Sequence, residues 1–405
     1  MLKTAFNHYI NNFRGFTREI WILAIITFIN RAGTMVLPFL SKYLKEDLHF
    51  TYNQVGWIMV SFGLGSMLGS WLGGKLSDKI GFYKIMIFSL FTSGVSLFLV
   101  QYITTFWALC SAMFVLMTIA DMFRPAMFVS LGAYAKPENR TRALTLVRLA
   151  VNLGFAAGPA LGGLIIMGMG YPGLFWVDGA SCIISISIFA LLVKEKKKAT
   201  HDDKTESAPE IKSVFQDKIF WVFLFVSFVA AMIFFQLFTT LPLYHNEKFG
   251  LTEFQTGLLM TLNGIIIFSL EMPTVGFVER KGFQKLKIIT LGSFVMASSF
   301  FLLLINVWAG ILVISMICIS IGEILVFPFS NAFALSRAPK GQEGRYMALY
   351  TMSFSLAHIT SSKASFEIIS KFGYQINWFF MACIGLVATF CCFWIKKALI
   401  DEKVS

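Results

Sequence analysis

Long apolar stretches separated by short polar segments make up most of this chain. A helix crosses the hydrocarbon core of a bilayer with ~20 predominantly apolar residues, and twelve stretches have about this length. They lie at 20–41, 52–74, 85–103, 106–134, 144–168, 171–193, 219–243, 252–277, 288–306, 308–335, 346–368 and 375–395. Charged residues make up only 14% of the chain, against ~25% in soluble domains. The pattern predicts an all-α polytopic membrane protein with twelve transmembrane helices.

The basic residues are distributed unevenly among the polar segments. Most of the 34 Lys and Arg side chains lie at the termini and in the loops after even-numbered apolar stretches. Because positively charged loops are retained in the cytoplasm, we expect both termini on the cytoplasmic side of the inner or plasma membrane. This topology accounts for the net charge of +12, so the lipid bilayer is the expected partner and a nucleic acid is not.

Sequence motifs for enzymatic chemistry are missing. The chain has no nucleotide-binding glycine loop, no HExxH motif and no serine–histidine constellation. Its six cysteines all lie within apolar stretches, and no pair has the spacing of a metal site. We therefore predict no enzymatic activity, no metal and no cofactor.

Two charged turns indicate that the chain contains an internal duplication. The segment 74–84 is followed 201 positions later by a similar segment at 279–285, and both contain acid, glycine, phenylalanine and lysine in the same order. A carboxylate at a helix junction can accept hydrogen bonds from a helix N-terminus, and glycine permits tight turning. We expect a conformational latch, with a loop that only orients the helices as the alternative. The latch residues are Gly74, Asp78, Gly81 and Lys84 in the first turn, and Glu279, Arg280, Gly282 and Lys285 in the second.

The repeat extends beyond these turns. Residues 51–56 match residues 252–257 at the same offset of 201, and Pro125 matches Pro328 at an offset of 203. A polar segment midway along the chain predicts a flexible cytoplasmic linker. Internal repeats of this kind build transporters in which two six-helix bundles, related by a pseudo-twofold axis, enclose a solute site. The predicted domains are 1–193, the linker 194–218 and 219–405.

The first turn also carries a family resemblance. The pattern of Gly74, Leu76, Asp78, Gly81 and Lys84 resembles the signature that major facilitator superfamily transporters have between helices 2 and 3. It differs in having aromatic residues at positions 82–83, where basic residues are common. The resemblance covers essentially the whole chain. It implies a monomeric secondary transporter that moves a small-molecule solute by alternating access.

Two other segments resemble subfamilies that export compounds. In the tenth stretch, Glu323 lies in a Gly-Glu-x-x-x-x-Pro segment that resembles proton-driven multidrug exporters. In the fifth, a glycine-rich segment resembles the end of an antiporter helix-packing motif, without one upstream glycine, and comprises Gly158, Pro159, Gly162 and Gly163. These resemblances imply efflux of amphipathic or cationic compounds by antiport, with the proton gradient as the energy source.

A second resemblance implies uptake. Phe123-Arg124-Pro125 resembles the Phe-Lys-Pro of proton-coupled oligopeptide transporters, and Arg31 stands where those proteins have an arginine in helix 1. The Gly-Glu-x-x-x-x-Pro segment of the tenth stretch is similar to theirs as well. Their helix-1 glutamates are missing, because Thr27 and Asn30 occupy these places. Proton-coupled symport of short peptides or similar zwitterions therefore remains an alternative to efflux, and an uncoupled facilitator is another.

Two acids within the apolar stretches are the predicted proton-coupling residues. A charge at a helix centre in lipid costs at least ~2.5–3.5 kcal/mol, so it needs a partner, water or a function. Glu323 lies mid-stretch with no charged neighbour along its helix, and it either couples a proton and contacts solute or is a neutral, hydrogen-bonded acid. Asp121 and Arg124 lie three positions apart. They form either a self-satisfied ion pair or a proton acceptor with a solute-binding cation.

The remaining predicted solute contacts lie in the first and seventh stretches. Arg31 is mid-stretch beside Asn30, and an arginine there must meet an acid or an anionic group of the solute. Gln236 lies among aromatic residues that could line a cavity. Asp178, near the outer end of the sixth stretch, is interpreted as a residue that reaches water or caps a helix.

Overall fold

The computed structural model describes residues 15–136, 140–196, 214–305, 307–339 and 343–404. Within these ranges all regular secondary structure is helical, which confirms the predicted all-α class. A π-helical turn covers Tyr43–Asp47 and a 3-10 turn covers Val214–Gln216. The α-helices are α1 (Arg18–Gly33), α2 (Val36–Lys42), α3 (Tyr52–Ile80), α4 (Phe82–Val100), α5 (Phe106–Ala120), α6 (Phe123–Tyr134), α7 (Arg140–Leu192), α8 (Lys218–Thr239), α9 (Leu241–Phe249), α10 (Glu253–Arg280), α11 (Lys285–Leu302), α12 (Gly310–Arg337) and α13 (Glu343–Val404).

Ten helical segments of the described ranges are long and apolar enough to cross a membrane, as a polytopic protein requires. Two of them, Leu146–Leu192 and Leu349–Glu402, have 47 and 54 residues, about twice the ~20 of one crossing. Each contains a glycine that leaves the helical conformation, Gly170 with φ 69° and Gly373 with φ 80°. We interpret each as two crossings that meet at the glycine. The total of twelve stays a prediction.

Local structures recur at the spacing of the sequence repeat. At the start of α3, the Thr51 N–H donates to Gln54 Oε1 at 2.9 Å and the Gln54 N–H donates to Thr51 Oγ1 at 3.3 Å. Thr252 and Gln255 make the same two hydrogen bonds, with the same lengths, at the start of α10. Such a capping box satisfies N–H groups that a helix start leaves unpaired. The duplicated sequence therefore folds into duplicated local structure.

Contacts divide the chain into two compact units. Unit 1 contains the described residues of Met1–Val36 and Leu64–His201, and unit 2 contains those of Leu37–Gly63 and Asp202–Ser405. The end of the first apolar stretch and the start of the second therefore belong to unit 2. Residues 197–213, most of the predicted linker, lie outside the described residues, and the predicted domain boundaries stay a prediction.

In unit 1, α7 packs against α1 and α4, and α3 approaches α5 through a ladder of glycines. A Cβ atom on Gly65 would lie 2.3 Å from the Phe114 carbonyl oxygen, and one on Gly69 would lie 2.3 Å from the Thr118 carbonyl oxygen. At Gly73 it would lie 2.5 Å from the carbonyl oxygen of the residue two positions beyond α5. Small residues at this spacing let membrane helices approach to backbone contact. The four-residue spacing of these glycines is visible in the sequence, but this contact was not predicted from it.

Unit 2 has an aromatic core. Here α8 packs along α13, α11 packs against α12 and α13, and α10 packs against α12. Trp378 is fully buried, with its ring centroid 5.1 Å from that of Tyr244 and 5.4 Å from that of Phe300. Because α12 packs against both α10 and α11, its acid, Glu323, lies inside the unit.

Candidate functional site

Glu323 is a buried acid in the middle of α12, with 4% of its surface exposed. The Asn263 side chain of α10 donates to Glu323 Oε1 at 3.0 Å and to Ser320 Oγ at 2.9 Å. Glu271, also buried on α10, acts on Glu323 electrostatically. Among the ion pairs of the described residues, none joins Glu323 to a cation. Its environment therefore consists of a neutral amide and a second acid.

Asp121 lies in the turn that separates α5 from α6. The Ser66 hydroxyl of α3 donates a hydrogen bond to Asp121 Oδ2. No ion pair between Asp121 and Arg124 is found in the described part of the chain. The side chain of Arg124 is exposed. Because the turn interrupts the helix, the three-residue spacing does not bring the two side chains together as it would on a continuous helix.

Arg31 and Asn30 lie on α1, where α7 packs closely. The Arg31 guanidinium stands 5.4 Å from the centroid of the Phe155 ring. Arg124, Asp121 and Asp178 are among the charges that act on it. The Asn30 amide donates to Cys182 Sγ at 3.3 Å. In unit 1, Arg31 therefore lies within electrostatic reach of a second arginine and two aspartates.

Asp178 of α7 is buried where the first span breaks between α1 and α2. Its Oδ2 accepts a hydrogen bond from the Val36 N–H at 3.4 Å, so it caps the start of α2. The break itself is tightly packed, since a Cβ atom on Gly33 would lie 1.9 Å from Ser181 Oγ. The sequence left two interpretations of Asp178, contact with water or a helix cap, and its hydrogen bond to Val36 corresponds to the cap.

Gln236 is fully buried inside unit 2. Its amide nitrogen donates to Ser361 Oγ at 2.6 Å and to Ser365 Oγ at 2.9 Å, and its oxygen accepts from Thr240. The Asn377 amide lies 3.5 Å from the same oxygen. Because these groups satisfy Gln236 and leave it no exposed surface, we do not include it in the solute site proposed below.

The two predicted latch turns share a backbone feature. Gly81 and Gly282 both have positive φ, at 93° and 66°, a region that residues with a Cβ atom rarely adopt. Gly74 has no atom within 4 Å of a Cβ position, and Lys285 Nζ donates to the Ala332 carbonyl at 3.2 Å. Two cationic latch residues, Lys84 and Arg280, are exposed. The side chains of the two latch acids, Asp78 and Glu279, lie outside the described residues.

The glycine-rich segment of α7 is buried. A Cβ atom on Gly158 would lie 3.2 Å from the Ala32 carbonyl oxygen, and one on Gly154 would lie 2.5 Å from Arg31 Cβ. These glycines let α7 approach α1 beside the arginine. The other buried residues of the segment are Pro159, Gly162 and Gly163.

A duplicated, all-helical chain that carries hydrogen-bonded acids and arginines inside its apolar helices has the features of a multi-pass membrane transporter. Residues 23–362 match the family model of the Major Facilitator Superfamily. The chain belongs to this superfamily, and it is therefore a transporter and not an enzyme.

Sequence relatives of the chain include characterised and uncharacterised transporters. It is 27% identical over 336 residues to the uncharacterized MFS-type transporter YttB of Bacillus subtilis (strain 168), covering 81% of this chain and 83% of that protein. It is 20% identical over 405 residues to a Na(+), Li(+), K(+)/H(+) antiporter of Planococcus maritimus, covering 91% and 93%. It is 24% identical over 249 residues to the quinolone resistance protein NorA of Staphylococcus aureus (strain MSSA476), covering 61% and 64%.

Solved structures share the fold. A POT family transporter in complex with 5-aminolevulinic acid superposes with a TM-score of 0.77 and 15% identity, over 93% of this chain and 96% of that chain. The nucleoside transporter NupG superposes with a TM-score of 0.78 and 14% identity, over 93% and 100%.

Proposed function

We propose that this protein exports amphipathic or cationic compounds across the plasma membrane in exchange for protons, by alternating access. The observation that carries the proposal is Glu323, a buried carboxyl group held by a neutral amide and without a paired cation among the described residues. Removal from water favours the protonated form of a carboxyl group, whereas an organic cation favours the ionised form. One residue can therefore bind a proton or a cation, but not both. A site with this exclusion that opens to either side is sufficient for antiport.

The names of two relatives support this proposal. One is called a cation/H(+) antiporter and the other a quinolone resistance protein. Asp121 is the proposed second proton-binding residue, because its carboxylate lies in a break of the fourth span and acts electrostatically on Arg31. In this scheme, proton transfer to Asp121 changes the charge that Arg31 and Arg124 present to a solute.

Alternating access also requires a device that sets the populations of the two states. We propose that the 74–84 and 279–285 turns serve as this latch, with Asp78 and Glu279 as its acids. Gly81 and Gly282 give both turns a residue at positive φ, which glycine adopts without strain. Both termini and the 194–218 linker are proposed to lie in the cytoplasm. Impermeant thiol labelling of a cysteine at Thr205, which lies outside the described residues, is expected to fail in intact cells.

Symport of short peptides is the second candidate function. It is favoured by Arg31 and Arg124, two cations within electrostatic reach of each other in unit 1, because guanidinium groups bind carboxylates. An Arg31→Gln variant separates the candidates. It is expected to impair transport of a dipeptide selectively if peptides are the substrate, and to impair a cation and a dipeptide equally if Arg31 is structural.

The proposal is tested with purified protein in liposomes under an imposed pH gradient. We expect tetraphenylphosphonium to be moved against its own gradient, and a neutral dipeptide not to be. Glu323→Gln, which resembles the protonated acid, is expected to abolish this uphill transport, while Glu195→Gln, at an exposed acid, leaves it unchanged. Downhill flux that ignores the pH gradient in the wild type would instead identify an uncoupled facilitator.

A further inference from the structure

The turn that carries Asp121 is held by helices outside the fourth span. Pro125 has no N–H to donate to the carbonyl four positions earlier, which is that of Asp121, and in a helix interior its ring also clashes there. The helix accordingly breaks at this point. Ser89, fully buried on α4, donates to the carbonyls of Ile119 and Ala120 at 2.6 Å and 3.1 Å. A neighbouring helix thus satisfies backbone groups next to the break, as a membrane interior requires.

A second neighbour of this turn is α3, which meets it at two points. The Ser66 hydroxyl donates to Asp121 Oδ2, and a Cβ atom on Gly73 would lie 2.5 Å from the Met122 carbonyl oxygen. Between these two points, Gly69 keeps the α3 backbone against α5. Because glycine puts backbone against backbone at these positions, a displacement of the Asp121 turn acts on α3 directly.

The same helix leads into the first latch turn. Since α3 is a single helix over Tyr52–Ile80, Ser66 and the start of the 74–84 turn lie on one element. Eleven positions separate Ser66 from Ser77, which is about 17 Å along a helix. Ser77 has 2% of its surface exposed, and its Oγ has no hydrogen-bond partner among the described residues. Burial of the latch turn can therefore be measured at this position without the loss of a hydrogen bond.

The strength of the Ser66 bond depends on the charge of its acceptor. A hydrogen bond to an ionised carboxylate is roughly twice as strong as one between neutral groups. A proton on Asp121 therefore weakens the contact between this turn and α3. Asp121 and Arg124 also act electrostatically on Arg31 of α1, and neither of these interactions involves α3.

We propose that Ser66 is a positioning residue that couples proton binding at Asp121 to the first latch turn. While Asp121 is ionised, the Ser66 bond keeps α3 seated on the break of the fourth span and keeps the latch turn packed. Proton binding weakens this bond and releases the latch turn. The inference rests on the proposed roles of Asp121 and of the 74–84 turn, but not on proton coupling at Glu323.

The test measures burial of the latch turn in purified protein, in lipid nanodiscs at one fixed pH and without solute. In a background with the six native cysteines replaced by alanine, Ser77→Cys reports the turn through its rate of reaction with a maleimide. Thr104→Cys, at an exposed loop position, gives the rate of an accessible thiol. We expect Asp121→Asn, which resembles the protonated acid, to raise the rate at Ser77→Cys by about 5-fold or more. Ser66→Ala is expected to raise it at least as far, because it removes the bond altogether.

The double variant decides whether Ser66 acts through Asp121. In the Ser66→Ala background, Asp121→Asn is expected to change the labelling rate by less than about 2-fold, because the bond that it weakens is already absent. Additive effects of the two changes, or an unchanged rate in either single variant, would overturn the inference. Ser66→Thr keeps the hydroxyl and should stay within about 2-fold of the wild-type rate. Ser61→Ala, on the same helix, removes a hydroxyl that donates to the Trp57 carbonyl at 3.1 Å, and is the matched control without effect.

Uphill transport in liposomes, measured on the same variants, separates this inference from the proposed function. If Asp121→Asn impairs transport but leaves the labelling rate unchanged, the coupling through Ser66 is wrong and the proton-binding role of Asp121 stands. If it changes neither, both are wrong. Monodisperse elution of each variant establishes that it is folded.

Discussion

The two units place an acid at corresponding points but surround it with opposite charge. In unit 1, Asp121 accepts a hydrogen bond from Ser66 of α3 and acts electrostatically on Arg31, as Arg124 does. In unit 2, Glu323 accepts one from Asn263 of α10 and lies near a second acid. In each case the fourth apolar stretch of the half supplies the acid and the second supplies the donor. The frame is shared, but the charges around the acid differ between the two units.

The largest effect on transport is expected when the acid of unit 2 is replaced by a neutral amide. Glu323→Gln should abolish proton-driven uphill transport of a cation, because the amide neither releases a proton nor attracts a cation as a carboxylate does. Asp121→Asn should reduce it less, because the Ser66 hydroxyl can donate to the amide oxygen of asparagine as it does to the carboxylate. Initial rates of uphill transport in liposomes measure both. A larger loss for Asp121→Asn would reverse the proposed roles of the two units.

A second contrast concerns helix packing. The glycines of the α3 ladder correspond, at the offset of 201, to Ile266, Leu270 and Thr274 of α10, so α10 lacks this ladder. Gly69→Leu should cost about 1–3 kcal/mol of stability, because the added side chain meets a carbonyl oxygen. Thermal unfolding in detergent measures the loss. Gly74→Ala, on the same helix with open space around it, is the control that should be near neutral.

The latch turns allow a finer comparison. Gly81 combines φ 93° with ψ 143°, a conformation that a side chain disfavours more strongly than the left-handed helical region. Gly81→Ala should therefore cost about 1–3 kcal/mol, and Gly282→Ala about 1 kcal/mol. No atom lies within 3.9 Å of either Cβ position. The two alanine variants therefore measure backbone strain without a steric clash. Equal shifts of the melting temperature would show that the two turns are equivalent.

The smallest expected effect distinguishes the first helices of the two halves. Asp217 caps α8 by accepting the Phe220 N–H and pairs with Arg337 at 2.8 Å. Thr17, at the start of α1, makes no side-chain hydrogen bond to its own helix and donates to the Tyr134 carbonyl instead. Burial raises the pKa of Asp217, but hydrogen bonds from Arg337 and from the Phe220 N–H outweigh it, so the net pKa is lowered. Its stabilisation is thus present above the ordinary value of ~3.9 and is lost as pH falls through the lowered value.

Asp217→Asn keeps an oxygen for the cap, but it removes the charge and the second oxygen, which accepts from Arg337 and Tyr346. It should cost of order 1 kcal/mol at neutral pH, and the gap to the wild type should close on acidification below pH ~4. Melting temperatures measured from pH 7 down to pH 3 trace this convergence. Thr17→Ala should show a shift that does not depend on pH, and a parallel pH trend in both variants would remove Asp217 as its cause.

The sequence predicted features whose physical cause is local. The all-α class follows from the apolar stretches, and the paired turns follow from glycines such as Gly81 and Gly282, whose positive φ is a property of single positions. Contacts between distant residues were not predictable, because Lys42 meets Glu253 only after the chain has folded. The possible Asp121–Arg124 pair assumed a continuous helix, and a turn interrupts it. Gln236 looked like a cavity residue because sequence does not show that Ser361 and Ser365 would enclose it.

The two capping boxes have a consequence for how the chain has diverged since its halves were copies. Each box needs only its first and last residues, so the two positions in between are free to change. In the first box they are now Tyr52 and Asn53, and in the second Glu253 and Phe254. Asn53 binds Lys363, and Glu253 binds Lys42. The two copies of the turn thus supply different partners, Asn53 and Glu253, to two different lysines. The threonine and glutamine that cap each helix are the same in both copies.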